Sequence, residues 1–495
     1  MLEGIKGFLR KVGVKLGLIK QLESVASHKK VSLPENFYQK ILMWRELHKG
    51  YYAEMHDLKY RNIEKGEQTR VMATLGMPKV IANEMATLIF NERCNISISD
   101  DGYGKFIEDV FTDNKFNGNF QQYLEFMFAQ GGTVVKPYVK NGKVQLSYVT
   151  GDCFLPISWS NSNITEGVFV SEIRKQGKVY THLEWHTFEG QSYVITNELY
   201  ESATGTDLGT KVSLAVLFPD LEPVVSVSNV SRPLFAYFKP AIANNIDSTV
   251  PLGVSIYANS YDTIKALDIA FDSFIREFRL GRKRILVPSH MVKTVIDTDG
   301  TAHRYFDATD ETYEAFNGDM DDKQIKDISI ELRVEEHIGA INAFLNILAM
   351  QTGFSSGSFS FDGKSVKTAT EVVSENSKTF RTKQSHENVI EQGITDLIEC
   401  IGVVAQLYGL YTPPAEYDVT VTFDDSIAQD RTADINEQIL LVSAGLQSKV
   451  KALRKIHGLT EEEARQLLDE IKAESQLGDD DVIDFYKKDK KRTDA

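Results

Sequence analysis

The chain has 495 residues, and at about 150 residues per domain this length corresponds to about three domains. Apolar residues make up 42% and charged residues 25%, which is ordinary for globular proteins and excludes intrinsic disorder and collagen-like repeats. The 55 basic and 70 acidic residues give a net charge of −15, so a basic nucleic-acid-binding surface over the whole molecule is also excluded.

The three cysteines, Cys94, Cys153 and Cys400, lie far apart and form no CxxC pair. Their spacing argues against a disulfide scaffold or a zinc knuckle and indicates a reducing compartment. Residues 1–29 carry apolar and basic side chains at helical spacing, which predicts an amphipathic segment that docks on a partner or touches a membrane. No run of 18 apolar residues occurs, so no transmembrane helix is predicted.

The chain is predicted to begin with helices and then to change to strands. Within residues 1–130, Pro34 and Pro78 each open a predicted helix. Alternating apolar residues follow, and Asn141-Gly142 has the composition of a two-residue hairpin turn. Strand patterns continue to about Pro233. The middle of the chain is therefore predicted to be a β-rich domain, or a large half of one.

Two long helices with a compact insert between them come next. Aromatic and aliphatic residues at helical spacing predict a helix over residues 254–281, and the same pattern returns over residues 334–352. The insert, residues 282–333, contains a predicted hairpin with Asp299-Gly300 at its turn. Basic side chains dominate the entry to the insert, between residues 276 and 293 (Arg276, Arg279, Arg282, Lys283, Arg284 and Lys293), and acidic ones its end, including Asp321 and Asp322. Such polarity is expected either of a solvated surface or of a docking surface for DNA or an acidic partner.

The last part of the chain is again mainly helical. Residues 353–367 form a loop rich in glycine and serine, and residues 368–410 are predicted to form one very long helix. A strand is predicted over residues 417–423, and a helical tail over residues 425–495. This order of elements suggests an elongated α+β subunit with a stalk, which is more typical of a ring or other assembly than of an enzyme acting alone.

The motifs searched for do not predict a catalytic residue, a cofactor or a metal. The stretch Gly205–Lys211 has a spacing one residue too short for a phosphate loop. On a strand, His182, Glu184 and His186 would share one face and could meet a metal, but a polar outer face of the sheet is the simpler interpretation. Asp297-Thr-Asp299-Gly300 lacks the glutamate of a calcium loop and is better explained as a hairpin turn.

Five stretches in a fixed order carry a family resemblance. They are PKVIANEMA (78–86), GGTVVKP (131–137), PLGVSIY (251–257), TATEVVS (368–374) and KIHGLTEEEA (455–464). Over about residues 35–475 the chain resembles the portal proteins of long-tailed double-stranded DNA phages. The similar branch occurs in phages of Gram-positive bacteria and is also labelled phage minor capsid protein 1.

The resemblance implies an elongated α+β portal-type subunit in a homo-oligomeric ring, usually a dodecamer. Its parts would be a wing (30–253, with a returning strand at 417–423), stem helices (254–281 and 334–352), a clip (282–333), a tunnel loop (353–367), a long helix (368–410) and a crown with the C-terminal tail (425–495). The ring would stand at the portal vertex of the capsid in the virion, after assembly in the host cytoplasm.

The resemblance also implies partners. Double-stranded DNA would pass through the ring without sequence-specific contacts, terminase would dock at the clip and supply ATP hydrolysis, and a head-tail adaptor would later occupy that end. Major capsid and scaffolding proteins would surround the ring, and neither a cofactor nor a membrane is implied.

Two groups of residues follow as candidate sites. The tunnel loop would offer Gly353, Phe354, Ser355, Ser356, Gly357, Ser358, Phe359, Phe361, Gly363, Lys364 and Lys367 to the DNA channel. The clip would offer Arg282, Lys283, Arg284, Asp299, Gly300, Asp321 and Asp322 to terminase or the adaptor. The glycines would let the loop flex, and the phenylalanines would pack either on a neighbouring subunit or on the long helix of the same subunit. The alternatives are another non-catalytic particle protein and a metal enzyme that uses His182, Glu184 and His186.

Overall fold

The structure is a computed structural model that describes most of residues 35–471. The stretches that it does not describe within this range are 63–65, 92–93, 204–206, 229, 282–284, 289–293, 297–301, 305–312, 317–325, 328–330, 361–368, 424–430 and 458–463. For residues 285–327 of the insert and 369–377 of the long helix only the backbone is described. Contacts divide the chain into two units, residues 1–365 with 378–424, and residues 366–377 with 425–495.

The first unit begins with a helical layer, as the sequence predicts. Its helices are α1 (Glu35–His48), α2 (Ala53–His56), α3 (Met77–Ile89), α4 (Asp101–Asp113) and α5 (Phe116–Gln130). Pro78 lies in the first turn of α3, where its missing N–H is not needed, and the Asp100 side chain accepts a hydrogen bond from the N–H of Tyr103 and caps α4. Buried faces of α1, α3 and α5 contribute to one large core.

A hairpin that the sequence pattern does not predict lies within this helical region. It is formed by β1 (Asp57–Asn62) and β2 (Gly66–Val71), which pair antiparallel. Most of its side chains are exposed, and its residues are largely polar. Neither strand therefore shows the alternation of apolar and polar residues that marks a half-buried strand.

The β-rich middle contains two sheets. In the smaller one β4 (Thr133–Lys140) pairs with β5 (Lys143–Thr150) and β12 (Ala236–Phe238). Asn141 and Gly142 have φ values of 52° and 71°, so the predicted hairpin turn is confirmed. The larger sheet has the order β10-β9-β8-β7-β6, and β11 also pairs with β9. Its strands are β6 (Phe154–Ser160), β7 (Asn163–Lys175), β8 (Lys178–Glu189), β9 (Ser192–Ser202), β10 (Thr210–Val212) and β11 (Val224–Ser228).

The two helices around the insert are α6 (Tyr261–Leu280) and α7 (Val334–Gln351). Helix α6 begins seven residues later than the predicted start at residue 254, and that part of the prediction is wrong. Residues 254–260 are held as a non-helical segment because the Ile256 N–H donates to the carbonyl of Phe128 at 2.9 Å. The buried Tyr257 hydroxyl also donates to the Trp44 carbonyl at 2.9 Å.

Short strands form the described part of the insert. The backbone of β13 (Ile285–Pro288) pairs parallel with β16 (Tyr313–Phe316) and antiparallel with β17 (Lys326–Asp327). The backbone of β14 (Thr294–Ile296) pairs antiparallel with β15 (Ala302–Arg304). These last two strands confirm the predicted hairpin, whose Asp299-Gly300 turn lies outside the described residues.

The long helix α8 spans Ala369–Leu407, close to its predicted range. After it, β18 (Val419–Thr422) pairs antiparallel with β3 (Asn95–Ile98), so the predicted strand returns to the N-terminal region. In the second unit the structure shows α9 (Arg431–Ser443), α10 (Lys449–His457) and a further helical stretch over residues 464–471.

Candidate functional site

The start of the glycine-serine loop is fixed against its own subunit. Gly353 has a φ of +87°, and a Cβ atom there would lie 2.5 Å from Cγ2 of Thr382 on α8. Phe354 is only 1% exposed and belongs to the main core, and its ring centroid lies 4.9 Å from that of Phe359. The interpretation of Phe354 as ordinary burial is therefore correct, and Gly353 provides a tight contact rather than a hinge.

Hydrogen bonds continue this anchoring along the loop. The N–H of Ser355 donates to the Thr379 hydroxyl at 2.8 Å, and the N–H of Thr379 is 3.2 Å from the Ser355 hydroxyl. The N–H of Gly357 donates to the Asn346 side-chain oxygen of α7 at 2.8 Å. Ser356, Gly357 and Ser358 are exposed, whereas Ser355 is buried. Four other predicted loop residues lie outside the described residues: Phe361, Gly363, Lys364 and Lys367.

Helix α8 carries buried polar side chains where it passes this loop, and the sequence interpretation missed them. Lys383 and Glu387, both buried, form an ion pair one turn apart. His386 is also buried, and its Nδ1 accepts a hydrogen bond from the N–H of Ala241 at 2.9 Å. Burial lowers the pKa of His386 to about 4. Their burial could have been predicted from the sequence, because Lys383, His386 and Glu387 extend toward the N-terminus the helical stripe of apolar residues that begins at Ile390.

The two ends of the insert meet at one carboxylate. Glu277, near the end of α6, accepts hydrogen bonds from the backbone N–H of Arg333 at 2.8 Å and from its Nη2 at 2.8 Å. His337 of α7 contacts the same carboxylate through Nε2 at 2.6 Å. The Arg333 guanidinium is the main cause that holds the pKa of Glu277 at about 2. This contact defines the root of the insert.

None of the predicted clip residues lies in the part of the chain that the structure describes. This applies to Arg282, Lys283, Arg284, Asp299, Gly300, Asp321 and Asp322. Their assignment to docking stays a prediction.

The interpretation of His182, Glu184 and His186 as an outer polar face is wrong. Both histidines are buried, at 8% and 2% exposure, because the segment around Phe218 and Phe235 covers this face of the sheet. His182 contacts the Asn197 side-chain oxygen at 3.0 Å, and His186 contacts Glu184 at 2.9 Å and the Tyr193 hydroxyl at 2.7 Å.

The negative charge of Glu184 is stabilised by its neighbours in this cluster. Burial acts to raise the pKa of Glu184, but the hydrogen bond from His186 and the charge of Lys136 hold it well below its ordinary value. Lys136 also lies 4.5 Å above the ring of Phe169. Within the described residues, no group of three or more His, Cys, Asp or Glu side chains is arranged to hold a metal.

The comparison with protein families decides the identity. The model of the family described as phage portal protein, SPP1 Gp6-like, matches residues 28–477. The chain belongs to this family of phage portal proteins. The predicted resemblance over about residues 35–475 is therefore confirmed, as is the α+β fold class. A search of curated proteins found no significant match.

Family membership makes this portal protein a structural component of the phage capsid with a role in genome packaging. The match covers both helices around the insert, the loop and the long helix in one continuous range. None of the helices in the described ranges is long and apolar enough to cross a membrane.

Proposed function

We propose that the chain is the subunit of a homo-oligomeric ring, a dodecamer, at one vertex of the capsid. Double-stranded DNA enters the head through the ring during packaging and leaves through it during ejection. The family match supports this role, and so does the arrangement of two paired helices, α6 and α7, joined at one end by an insert and followed at the other by a loop. The subunit is not an enzyme in this proposal, and assembly takes place in the host cytoplasm.

The acidic composition of the chain suits such a conduit. Each phosphate that a protein neutralises adds salt-dependent affinity, so a channel that must let DNA slide benefits from few cationic contacts. A net charge of −15 per subunit keeps the average interaction repulsive. We place the exceptions at Lys364 and Lys367, which contact the phosphate backbone without reading sequence. We propose residues 361–367 as the segment that meets DNA, and the contacts that anchor Ser355 and Gly357 within the subunit support this choice.

The insert is the proposed docking platform. Terminase, which hydrolyses ATP, binds it during packaging, and the head-tail adaptor replaces terminase afterwards. Major capsid and scaffolding proteins contact the β-rich wing. The root contact at Glu277 supports this assignment, because it joins both ends of the insert and presents the insert as a unit.

Electron microscopy of the purified protein tests the ring directly. We expect rings with a central hole in negative stain, and monomers or flat sheets would contradict the proposal.

Deleting residues 290–325 should leave rings intact but abolish binding of terminase and adaptor. Heads that still fill and acquire tails with this deletion would disprove the clip assignment.

A charge reversal tests the loop. Lys364→Glu with Lys367→Glu should leave rings intact and lower the amount of DNA packaged per head. Lys140→Glu with Lys175→Glu is the matched control, because it makes the same change of charge at exposed ends of wing strands. Equal packaging in both double variants would remove the loop from the DNA path.

A further inference from the structure

Two elements of the same chain, the hairpin β1–β2 and helix α7, pack on opposite sides of α6. The hairpin β1–β2 is attached to one side, where Asp272 receives both terminal nitrogens of Arg70 at 2.8 and 2.6 Å. Helix α7 is attached to the other side, where the ring of Phe274 lies 5.3 Å from that of His337. At about 100° per residue, Asp272 and Phe274 point about 200° apart around the helix. The hairpin, α6 and α7 therefore form a layer in which α6 lies between the other two elements.

A groove with basic and apolar walls opens on the hairpin side. It lies between β1–β2 and the last turns of α6 and has a volume of about 960 Å³. Its cationic lining consists of Lys59, Arg70, Arg276 and Arg279. The carboxylate among the lining residues, Asp272, is already engaged by Arg70. In the described part of the chain, Arg276 and Arg279 are exposed and form no ion pair.

The apolar side chains of the groove indicate what kind of partner it fits. Tyr60, Val71 and Leu280 are 48%, 61% and 58% exposed at its walls. Phosphate groups would match the arginines but would leave this apolar surface without a complementary contact. A protein surface that carries both carboxylates and aliphatic side chains matches both features.

Among the described residues, the side of α7 that remains exposed, its free face, has this composition. Glu335 and Glu336 are exposed in its first turn, and neither forms an ion pair with another described residue. Further along the same face, Ile347 and Met350 are 41% and 56% exposed. This face points away from α6, since His337, which contacts Glu277 and Phe274 of α6, lies on the other side of α7.

The two charged regions also lie at the same level of the subunit. The insert connects the C-terminal end of α6 to the N-terminal end of α7, and Glu277 joins these ends. Arg276 and Arg279 lie in the last turns of α6, and Glu335 and Glu336 lie in the first turn of α7. A rotation about an axis along the helices therefore brings the basic groove of one copy level with the acidic end of α7 in the next.

We infer that this groove receives the free face of α7 from the neighbouring subunit of the ring. A closed ring needs a head-to-tail contact between two different, complementary faces of one chain, and these faces lie on opposite sides of the layer. Arg276 and Arg279 pair with Glu335 and Glu336 of the neighbouring copy. The inference rests on the proposed ring and specifies which surfaces close it.

Two charge-reversed variants provide the test. The first, Arg276→Glu with Arg279→Glu, makes the groove acidic, and the second, Glu335→Lys with Glu336→Lys, makes the α7 face basic. In each variant alone, like charges meet at every contact of the ring, and we expect the ring fraction in mass photometry to fall about tenfold or more. All four side chains are exposed, so the fold persists, and circular dichroism of each variant checks this.

Mixing the two variants gives the decisive result. Each contact in an alternating ring then joins an acidic groove to a basic α7, or a basic groove to an acidic α7. Rings should therefore return to near the wild-type fraction, with an equal content of the two variants by mass spectrometry. Glu108→Lys with Asp109→Lys, on the exposed face of α4, is the matched control and should neither block assembly nor rescue the groove variant.

The outcomes separate this inference from the proposed ring. If wild-type rings form and either variant also forms rings alone, or if the mixture fails to assemble, the paired surfaces are wrong while the ring remains. If the wild-type protein forms no rings, the proposed function and this contact both fail.

Discussion

Asp268 on α6 is a buried hydrogen-bond acceptor whose removal should lower the free energy of unfolding. It is 2% exposed and accepts a hydrogen bond from the N–H of Leu75 at 2.9 Å. Its other oxygen lies 3.3 Å from Nε2 of His56, which is 1% exposed. Nδ1 of His56 lies 2.9 Å from the backbone nitrogen and 3.0 Å from the carbonyl oxygen of Tyr52. Because a carboxylate oxygen only accepts, Nε2 of His56 carries a proton and donates it to Asp268.

Asp268→Ala removes the acceptor for both donors. The Nε2–H of His56 becomes an unpaired buried group, which costs about 1–3 kcal/mol, and the half-buried N–H of Leu75 costs less because water reaches it. We expect a loss of about 2–4 kcal/mol in the free energy of unfolding of the first unit. Asp268→Asn keeps an oxygen for Leu75 but places its amide group against the histidine N–H, so it should cost about 1–2 kcal/mol.

Urea unfolding followed by tryptophan fluorescence measures these losses, and hydrogen exchange of peptides from residues 53–76 locates them. Asp262→Ala is the control, because Asp262 is an exposed acid in the first turn of the same helix. The expected order of destabilisation is Asp268→Ala, then Asp268→Asn, then the control. An Asp268→Ala variant within about 0.5 kcal/mol of the control would refute the assignment of these hydrogen bonds.

Three further outcomes are expected, two from contacts described above and one from the predicted clip. The difference in melting temperature between wild type and Glu277→Gln should be constant above pH 4.5 and shrink as pH falls toward 2. The reason is that only the ionised Glu277 carboxylate stabilises the fold, and its depressed pKa keeps it ionised until the pH approaches 2. A difference that grows on acidification would contradict this. Gly353→Val should lower the melting temperature, since its Cβ would strike Thr382 and its φ of +87° is strained for valine, whereas Gly118→Ala, in open space on α5, should change it little. Replacing the predicted clip residues Arg282, Lys283 and Arg284 by Gln should permit ring assembly and packaging but reduce genome retention in purified heads as salt rises, because we expect their charges to hold DNA phosphates. Wild-type retention at every salt concentration would contradict that role.

Sequence patterns predicted an element correctly where residues close together in the sequence determine its backbone geometry. Pro78 and the Asn141-Gly142 turn impose their own backbone geometry, so α3 and the β4–β5 hairpin were predictable. Helix α7 was predictable because its apolar stripe repeats at helical spacing over about four turns. In these cases the residues that decide the structure are neighbours in sequence.

Contacts between distant residues explain the failures. The hairpin β1–β2 depends on the bond between Arg70 and Asp272, 202 positions away, and shows no apolar alternation of its own. The start of α6 was misplaced because the carbonyl of Phe128, on α5, holds Ile256 outside the helix. His182 was assigned to an outer face because nothing near it in sequence indicates that Phe218 would cover it.

In the candidate site, too, the local sequence predicted the type of element but not its contacts with distant residues. The glycine-serine composition correctly indicated a loop between two long helices. It could not indicate that Ser355 and Thr379 exchange hydrogen bonds, or that Gly353 lies against Thr382. The loop is therefore anchored at its start, and the prediction that all of it flexes was too broad.

The pairing of β3 with β18 sets a limit on when a newly made subunit is finished. Ser97 and Thr420 face each other across this sheet although 323 positions separate them. At about 5–20 residues per second, a ribosome needs about 16–65 s to synthesise the intervening chain. During that time β3 presents an unpaired edge to every other nascent chain on the same message, and such an edge is a template for wrong pairing. Subunits stopped before residue 419 would keep that edge permanently and would stay open to wrong pairing.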